Sequence, residues 1–405
     1  MALNVVGGVY REYCVHPRWN DIYGSAGRAA MAIANMGTDV VLHSYMGQHA
    51  IDVFEERAAW LEGFSTMPTK VDGIVAFRYL YDLDVPVISG VPDVEYPPLQ
   101  VDADKVVRFG MLEGDAVVNA DWAVYDPQNV RKGKPFGANG SRANHLALVM
   151  NSWEAGHMAG MPGEHPSMTA PALAHQQGAE VVVVKMGPHG AFVWTATGTT
   201  QVPAFRTGHV WKVGSGDCFV AHFANEWMHN GKSPAEAALI ASRATAYYVE
   251  TQGLITPVQL NDYAPQAIGL SVGYRAGEVR QVYLAGPFFD LSQVWMVEQA
   301  RNVLQEMGLK VFSPYHDIGL GEADDVVAKD LEAIHASHLV MAIADGFDPG
   351  TVYEIGYARA LGKPVVVYSE RHKGEGLKMM EGSECTICND FTTAIYSTLW
   401  EAVAL

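Results

Sequence analysis

Short apolar runs broken by glycine and proline recur along this chain. Val181-Val-Val-Val184, the turn Lys185-Met-Gly-Pro-His-Gly190 and the run Ala191 to Trp194 predict a buried strand, a glycine turn and a second strand. In the last third, strands are predicted at 282–285, 310–312, 338–344 and 364–368. Helical patterns lie between them, at 294–307 before Gly308 and at 351–361 before Gly362. This alternation predicts a small parallel α/β sheet. The stretch from Leu254 to Glu278 scatters Pro257, Asn261, Pro265, Gly269, Gly273 and Gly277 without a helical period, and reads as a linker. With 405 residues, two domains are expected, 1–255 and 280–405, joined by 256–279. No internal repeat or low-complexity run is evident.

Composition narrows the partners. Acidic residues outnumber basic ones 45 to 27, a net charge of −18, which argues against a long nucleic-acid partner but leaves room for a nucleoside or nucleotide held locally. No apolar run approaches the length of a membrane helix and no leader pattern opens the chain, so a cytoplasmic protein without a membrane partner is expected. Cys14 and Cys218 are isolated, and Cys385-Thr-Ile-Cys388 stands without a second pair, which favours ordinary packing. The pairs His335/His338 and His157/His165 find no third ligand in the pattern.

The most informative chemistry lies at 348–358. Asp348-Pro-Gly-Thr-Val-Tyr-Glu354 places two carboxylates where a strand should pass into a helix, and ligands of open α/β sheets bind at the carboxyl ends of strands. A carboxylate there can attack an anomeric carbon or serve as acid or base. An Asp-x5-Glu spacing alone is common. Here, however, Tyr283-Leu-Ala-Gly-Pro-Phe-Phe289 and a helical Asp330 precede it in order, and from about Arg280 to Leu405 the chain resembles the nucleoside 2-deoxyribosyltransferases. The resemblance implies Glu354 as nucleophile forming a 2-deoxyribosyl ester, Asp348 and Asp330 as base-side groups, and Tyr283 as the hydroxyl that orients Glu354. It also implies Gly286, Pro287, Phe288 and Gly350 as substrate-lining positions, no cofactor, and a homo-oligomer with sites completed between subunits. The stretch Gly376 to Glu381 lacks the asparagine that many members supply across subunits.

A second signature is Trp211-Lys-Val-Gly-Ser-Gly-Asp217. Its glycines allow a tight turn, so that successive amides and the start of a helix can face negative charge beside a carboxylate. With the 181–194 strand pair, Asn151-Ser-Trp-Glu154 upstream and a small-residue helix at 235–249, this resembles the ribokinase-like (PfkB) kinases over most of 1–255. The resemblance implies Asp217 as the base for an acceptor hydroxyl and Gly214, Ser215 and Gly216 as the anion hole. It further implies Gly187 and Gly190 bordering ATP, and Asn151 and Glu154 serving Mg2+. The acceptor half departs from the family. No aspartate ends the first strand in Val5 to Glu12, the sugar motif reads Gly24-Ser-Ala-Gly-Arg28, a usual Gly-Asp-Asp reads Gly47-Gln-His49, and little room remains between Cys14 and Gly24 for lid strands. Arg28 is then either an exposed helix charge or a contact to a phosphate or carboxylate of the ligand.

The expected fold class is α/β, a ribokinase-like sandwich followed by a small flavodoxin- or Rossmann-like parallel domain. The expected function is a bifunctional nucleoside or nucleotide enzyme, with N-glycosidic cleavage or transfer in the second domain and ATP-dependent phosphorylation of a sugar or nucleoside in the first. The competing reading is a degenerate kinase domain that senses a nucleotide and regulates a hydrolytic effector.

Overall fold

A computed structural model describes residues 2–128, 133–319, 321–372 and 374–405. The chain divides into two units, Met1–Thr207 with Trp211–Gln266, and Gly208–Val210 with Ala267–Leu405. The division falls inside the predicted linker, which is not irregular throughout. Helices occupy Pro257–Asp262 and Val272–Arg275, the first started by a capping box between Thr256 and Gln259.

In the first unit the described strands are β1 (Leu3–Val6), β2 (Arg11–His16), β3 (Trp19–Ile22), β4 (Val40–Met46), β5 (Phe64–Lys70), β6 (Ala76–Tyr81), β7 (Val87–Ser89), β8 (Leu99–Phe109), β9 (Ala116–Asp126), β10 (Arg142–Asn151), β11 (Val181–Lys185), β12 (Ala191–Thr195) and β13 (Gly198–Val202). Nine of them form one sheet in the order β13-β12-β11-β10-β9-β8-β1-β4-β5. Pairing is parallel from β11 to β5, whereas β11, β12 and β13 pair antiparallel. The four valines of β11 are all buried, as expected of a strand covered on both faces. Only residues 110–115 join the parallel strands β8 and β9, fewer than a helical crossover needs. The ladders skip a pair at Asp104 and Asp121, and again at Asp121 and Asn144, so β8, β9 and β10 share an interruption there.

The remaining strands correct the sequence reading. A lid sheet is present, in the order β3-β2-β6-β7. Its β2–β3 hairpin pairs Arg11 with Ile22 and Cys14 with Trp19, and needs only Pro17 and Arg18 between strands. A two-residue connection is enough for a hairpin, which is why the short segment accommodates it.

The second unit is an all-parallel sheet of β14 (Gln281–Ala285), β15 (Lys310–Phe312), β16 (Leu339–Ile343), β17 (Val365–Tyr368) and β18 (Thr386–Cys388), ordered β15-β14-β16-β17-β18. Every residue of β16 and β17 is buried. The strand order reverses between β14 and β16, which opens a crevice at their carboxyl ends. This is the α/β class predicted from the alternating pattern. The edge strand β18 and the closing helix Phe391–Ala404 escaped that pattern, because β18 is only three residues long and the helix is apolar on nearly all sides. Among the described residues no helix is long and apolar enough to cross a membrane.

Candidate active sites

In the second unit, β14 ends beside the crevice and presents Tyr283 from a fully buried position. The helix Pro349–Ala360 starts across from it. Asp348 caps that helix, its Oδ2 accepting from the Thr351 amide at 2.8 Å and from Thr351 Oγ1 at 3.0 Å, while Pro349 takes the first helical position, where no amide is needed. The preceding turn carries Phe347 at φ +49°, left-handed backbone that a non-glycine residue adopts only at a cost of about 1 kcal/mol or more. Phe347 stacks on His372 with ring centroids 3.9 Å apart, and His372 Nε2 accepts from the Gly346 amide at 3.2 Å. These contacts hold the strained turn in place.

Two helical turns are not needed to reach Glu354, which lies on the inner side of the helix. Tyr283 Oη donates to Glu354 Oε1 at 2.6 Å. Burial pushes the Glu354 carboxyl up to about 7; the Tyr283 bond works against this, and the charges of Asp330 and Asp348 add to it. Asp330 also lies in reach of the Tyr283 hydroxyl and is raised chiefly by burial. The hydroxyl has one proton, which is committed to Glu354 in the hydrogen bond above. Asp330 Oδ1 is thereby left buried without a donor. Glu354 and Asp330 thus converge on one tyrosine and Asp348 adds its charge at Glu354, with no basic group among their perturbing neighbours in the described residues.

In the first unit, Gly214 precedes the helix Ser215–Ala224 at φ +80°, and Asp217 lies in its first turn, buried. Gly214 is constrained twice, because an added Cβ would also lie 2.2 Å from Arg28 Cζ. Lys212 Nζ donates to Ser215 Oγ at 3.0 Å, and Lys185 Nζ lies 3.4 Å from where a Cβ on Gly216 would be. Lys185 is paired with buried Asp126 at 2.6 Å. Burial, and then the charge of Lys185, lower the Lys212 pKa. Two ammonium groups crowded beside a turn of amides make a site suited to an anion.

Residues 144–261 match the family model described as pfkB family carbohydrate kinase, and residues 282–385 match that described as nucleoside 2-deoxyribosyltransferase. The chain is a fusion of a ribokinase-like and a deoxyribosyltransferase-like segment. Among solved structures it is similar to Arabidopsis thaliana ribokinase complexed with ribose and ATP, at 17% identity and TM-score 0.49, covering 65% of this chain and 99% of that one. It is also similar to Methanocaldococcus jannaschii nucleoside kinase, at 14% identity and TM-score 0.49, covering 65% and 98%, and to ribokinase from Thermotoga maritima, at 14% and 0.46, covering 65% and 99%. No curated protein matches the chain by sequence.

In the transferase-like unit the structure brings Tyr283, Asp330, Asp348 and Glu354 together. Pro287 is buried, Gly286 packs so closely that a Cβ would touch Val297 and Ile343 at 3.2–3.3 Å, and the ring of Phe288 lies tilted against Tyr315 with centroids 5.3 Å apart. Gly350 lies in the first helical turn beside Asp348. In the kinase-like unit, Gly187 opens the short turn between β11 and β12, and Gly190 closes it at φ +84°, where a Cβ would strike the Val202 carbonyl at 2.0 Å. Asn151 and Glu154 form a capping box, each side chain accepting from the other's backbone amide at 2.8 Å. Asn151 Oδ1 is therefore occupied within the protein. The Glu154 carboxyl is pushed up to about 7 by burial and by the Asp126 charge, the condition of an anionic group that a divalent cation would relieve. Among the described residues no cluster of three or more His, Cys, Asp or Glu could hold a metal ion by itself.

Four further residues of the candidate kinase-like site carry no sequence signature of their own. Lys185 and Lys212 flank the amide turn, Gln128 Nε2 donates to Asp217 Oδ1 at 2.8 Å, and Glu12 supplies a buried carboxylate at the acceptor end, where the pattern was read as lacking one. Arg28 is not a surface charge. It is 1% exposed and paired with Glu12 and Asp217. A lysine two residues before the glycine turn at 187–190 is the one legible signal for Lys185.

Proposed function

We propose that the transferase-like unit cleaves or transfers the N-glycosidic bond of a 2-deoxyribonucleoside or its monophosphate, with Glu354 as nucleophile. The observation that carries this reading is the 2.6 Å bond from Tyr283 to Glu354 Oε1 at the reversal point of a parallel sheet. That bond orients the carboxylate and leaves Oε2 to attack C1′. As the C1′–O bond forms, the C1′–N bond breaks and its electron pair passes to the base. The base takes a proton from Asp330 or Asp348; burial raises Asp330 and favours its protonated form, so it is the better donor. Water or a second base then attacks the ester carbon C1′ and frees Glu354. Incubation of the protein with each deoxynucleoside and each 5′-monophosphate, with products read by mass, tests the reaction. Release of free base, or its exchange onto an added base, is expected; an unchanged substrate panel contradicts the proposal.

For the kinase-like unit the anion site of Gly214 to Asp217 with Lys185 and Lys212 supports binding of the phosphates of ATP. Glu154, raised by its surroundings, fits a role in holding Mg2+, whereas Asn151 would act by shaping Glu154 through the capping box. Magnesium there would neutralise phosphate charge. ATP-dependent phosphorylation of a sugar or nucleoside, the activity implied by the family, would require Asp217 as base. The alternative reading, a nucleotide-binding unit that regulates the second, is favoured by the pairing of Asp217 with Arg28. A homo-oligomer is part of the proposal and is checked by light scattering.

A further inference from the structure

The acceptor end of the kinase-like unit is filled by its own side chains. Arg28 Nη1 donates to Glu12 Oε1 at 3.0 Å and to Asp217 Oδ2 at 2.9 Å, and Nη2 donates to Glu12 Oε2. The other oxygen of Asp217 accepts from Gln128 Nε2 at 2.8 Å, and Gln128 Oε1 is held by Ser25 Oγ. The rings of Tyr23 and Tyr248 face the guanidinium at 5.0 and 5.8 Å. Burial works against the charge on Arg28, yet Glu12 and Asp217 outweigh it and the guanidinium pKa is raised.

Both oxygens of the base are therefore engaged, and the guanidinium supplies the donors that an acceptor's hydroxyls would otherwise bring. Arg28 bonds both carboxylates, so an anionic acceptor would meet Glu12 and Asp217 rather than an unpaired Arg28. Withdrawing Arg28 would strip buried Glu12 of the cation it pairs with and Asp217 of its direct ion pair, which makes simple displacement by a sugar unfavourable.

We infer that this unit binds a nucleoside triphosphate without passing its terminal phosphoryl group to a sugar or nucleoside, Arg28 acting as an internal plug that holds Asp217 away from any acceptor. This rests on the reading of the 214–217 turn as a phosphate site. The test uses the full chain, with calorimetry against Mg-ATP and ADP release measured with and without ribose and 2-deoxynucleosides. Wild type is expected to bind ATP and to release ADP no faster than Asp217→Asn under every condition. The double variant E12Q/R28M removes the plug while neutralising one of its carboxylates. It is expected to raise ADP release roughly tenfold or more, and a further Asp217→Asn should abolish the rise. Wild-type ADP release clearly above Asp217→Asn, or a double variant that binds ATP with no rise, overturns the plug. No heat with ATP overturns the phosphate-site reading itself. If the double variant fails to bind ATP, the comparison of wild type with Asp217→Asn decides alone.

Discussion

Tyr283 and Glu354 lie 71 positions apart in the chain and share one hydrogen bond of 2.6 Å. A phenol that donates to a carboxylate favours the ionised form, so this contact both orients the proposed nucleophile and opposes the burial that pushes its pKa up. Tyr283→Phe is expected to lower kcat/KM by roughly 10–100-fold and to move its acid limb to higher pH. Steady-state rates across pH check this. A variant with an unmoved acid limb would reduce Tyr283 to packing.

As the proposed nucleophile, Glu354 must be ionised to attack. With its pKa up to about 7, kcat/KM should rise with pH toward neutrality, and fall again where Asp330 loses the proton it gives to the base. Stability should run the other way. A carboxyl whose folded pKa is raised above its unfolded value favours folding fully below the unfolded value, and that contribution is lost as pH rises through the folded pKa. Glu354→Gln should therefore raise the melting temperature at pH 8 by roughly 2–4 °C and change it little at pH 4.5, as scanning calorimetry would report. Equal shifts at both pH values would contradict the assignment.

Asp330 Oδ1 is buried in reach of the Tyr283 hydroxyl, whose proton is held by Glu354. As the acid for the departing base, Asp330→Asn should slow base release by about 100-fold. The loss should be smaller for substrates whose base leaves readily as an anion, a comparison that separates proton donation from packing.

Lys212 and Lys185 test the phosphate site separately. Lys212→Ala is expected to weaken ATP binding by about tenfold with a small effect on folding, since it removes a cation beside the amide turn. Lys185→Ala should weaken ATP binding and also unfold more easily by about 3–5 kcal/mol, because it strands fully buried Asp126. Calorimetry and urea unfolding measure the two effects.

What the sequence made legible was local. The Asp348 to Glu354 spacing, the Gly214 to Asp217 turn and the strands at 181–194 and 282–368 are set by neighbours in the chain, by glycine and proline, and by apolar runs. The contacts that complete each site are not local. Arg28 reaches Asp217 across 189 positions and Gln128 reaches it across 89, and no periodicity encodes either. Glu12 carried no signal because an aspartate is expected at the end of the first strand, whereas Glu12 lies in β2 and meets Arg28 from there. The lid strands were missed because a two-residue hairpin turn needs little sequence. Phe347 at positive φ carried no signal at all, since only glycine or asparagine announces that conformation.

The central claim is that Glu354 forms a covalent bond to the sugar. Acid-quenched reactions of wild-type protein with a 2-deoxynucleoside, or its 5′-monophosphate, should be read by intact-protein and peptide mass. The account predicts a protein heavier by one 2-deoxyribosyl unit, or its 5′-phosphate, mapped to the peptide containing Glu354 and absent from Glu354→Ala, which should retain ATP binding. Turnover by wild type without any adduct, or activity surviving in Glu354→Ala, would contradict it.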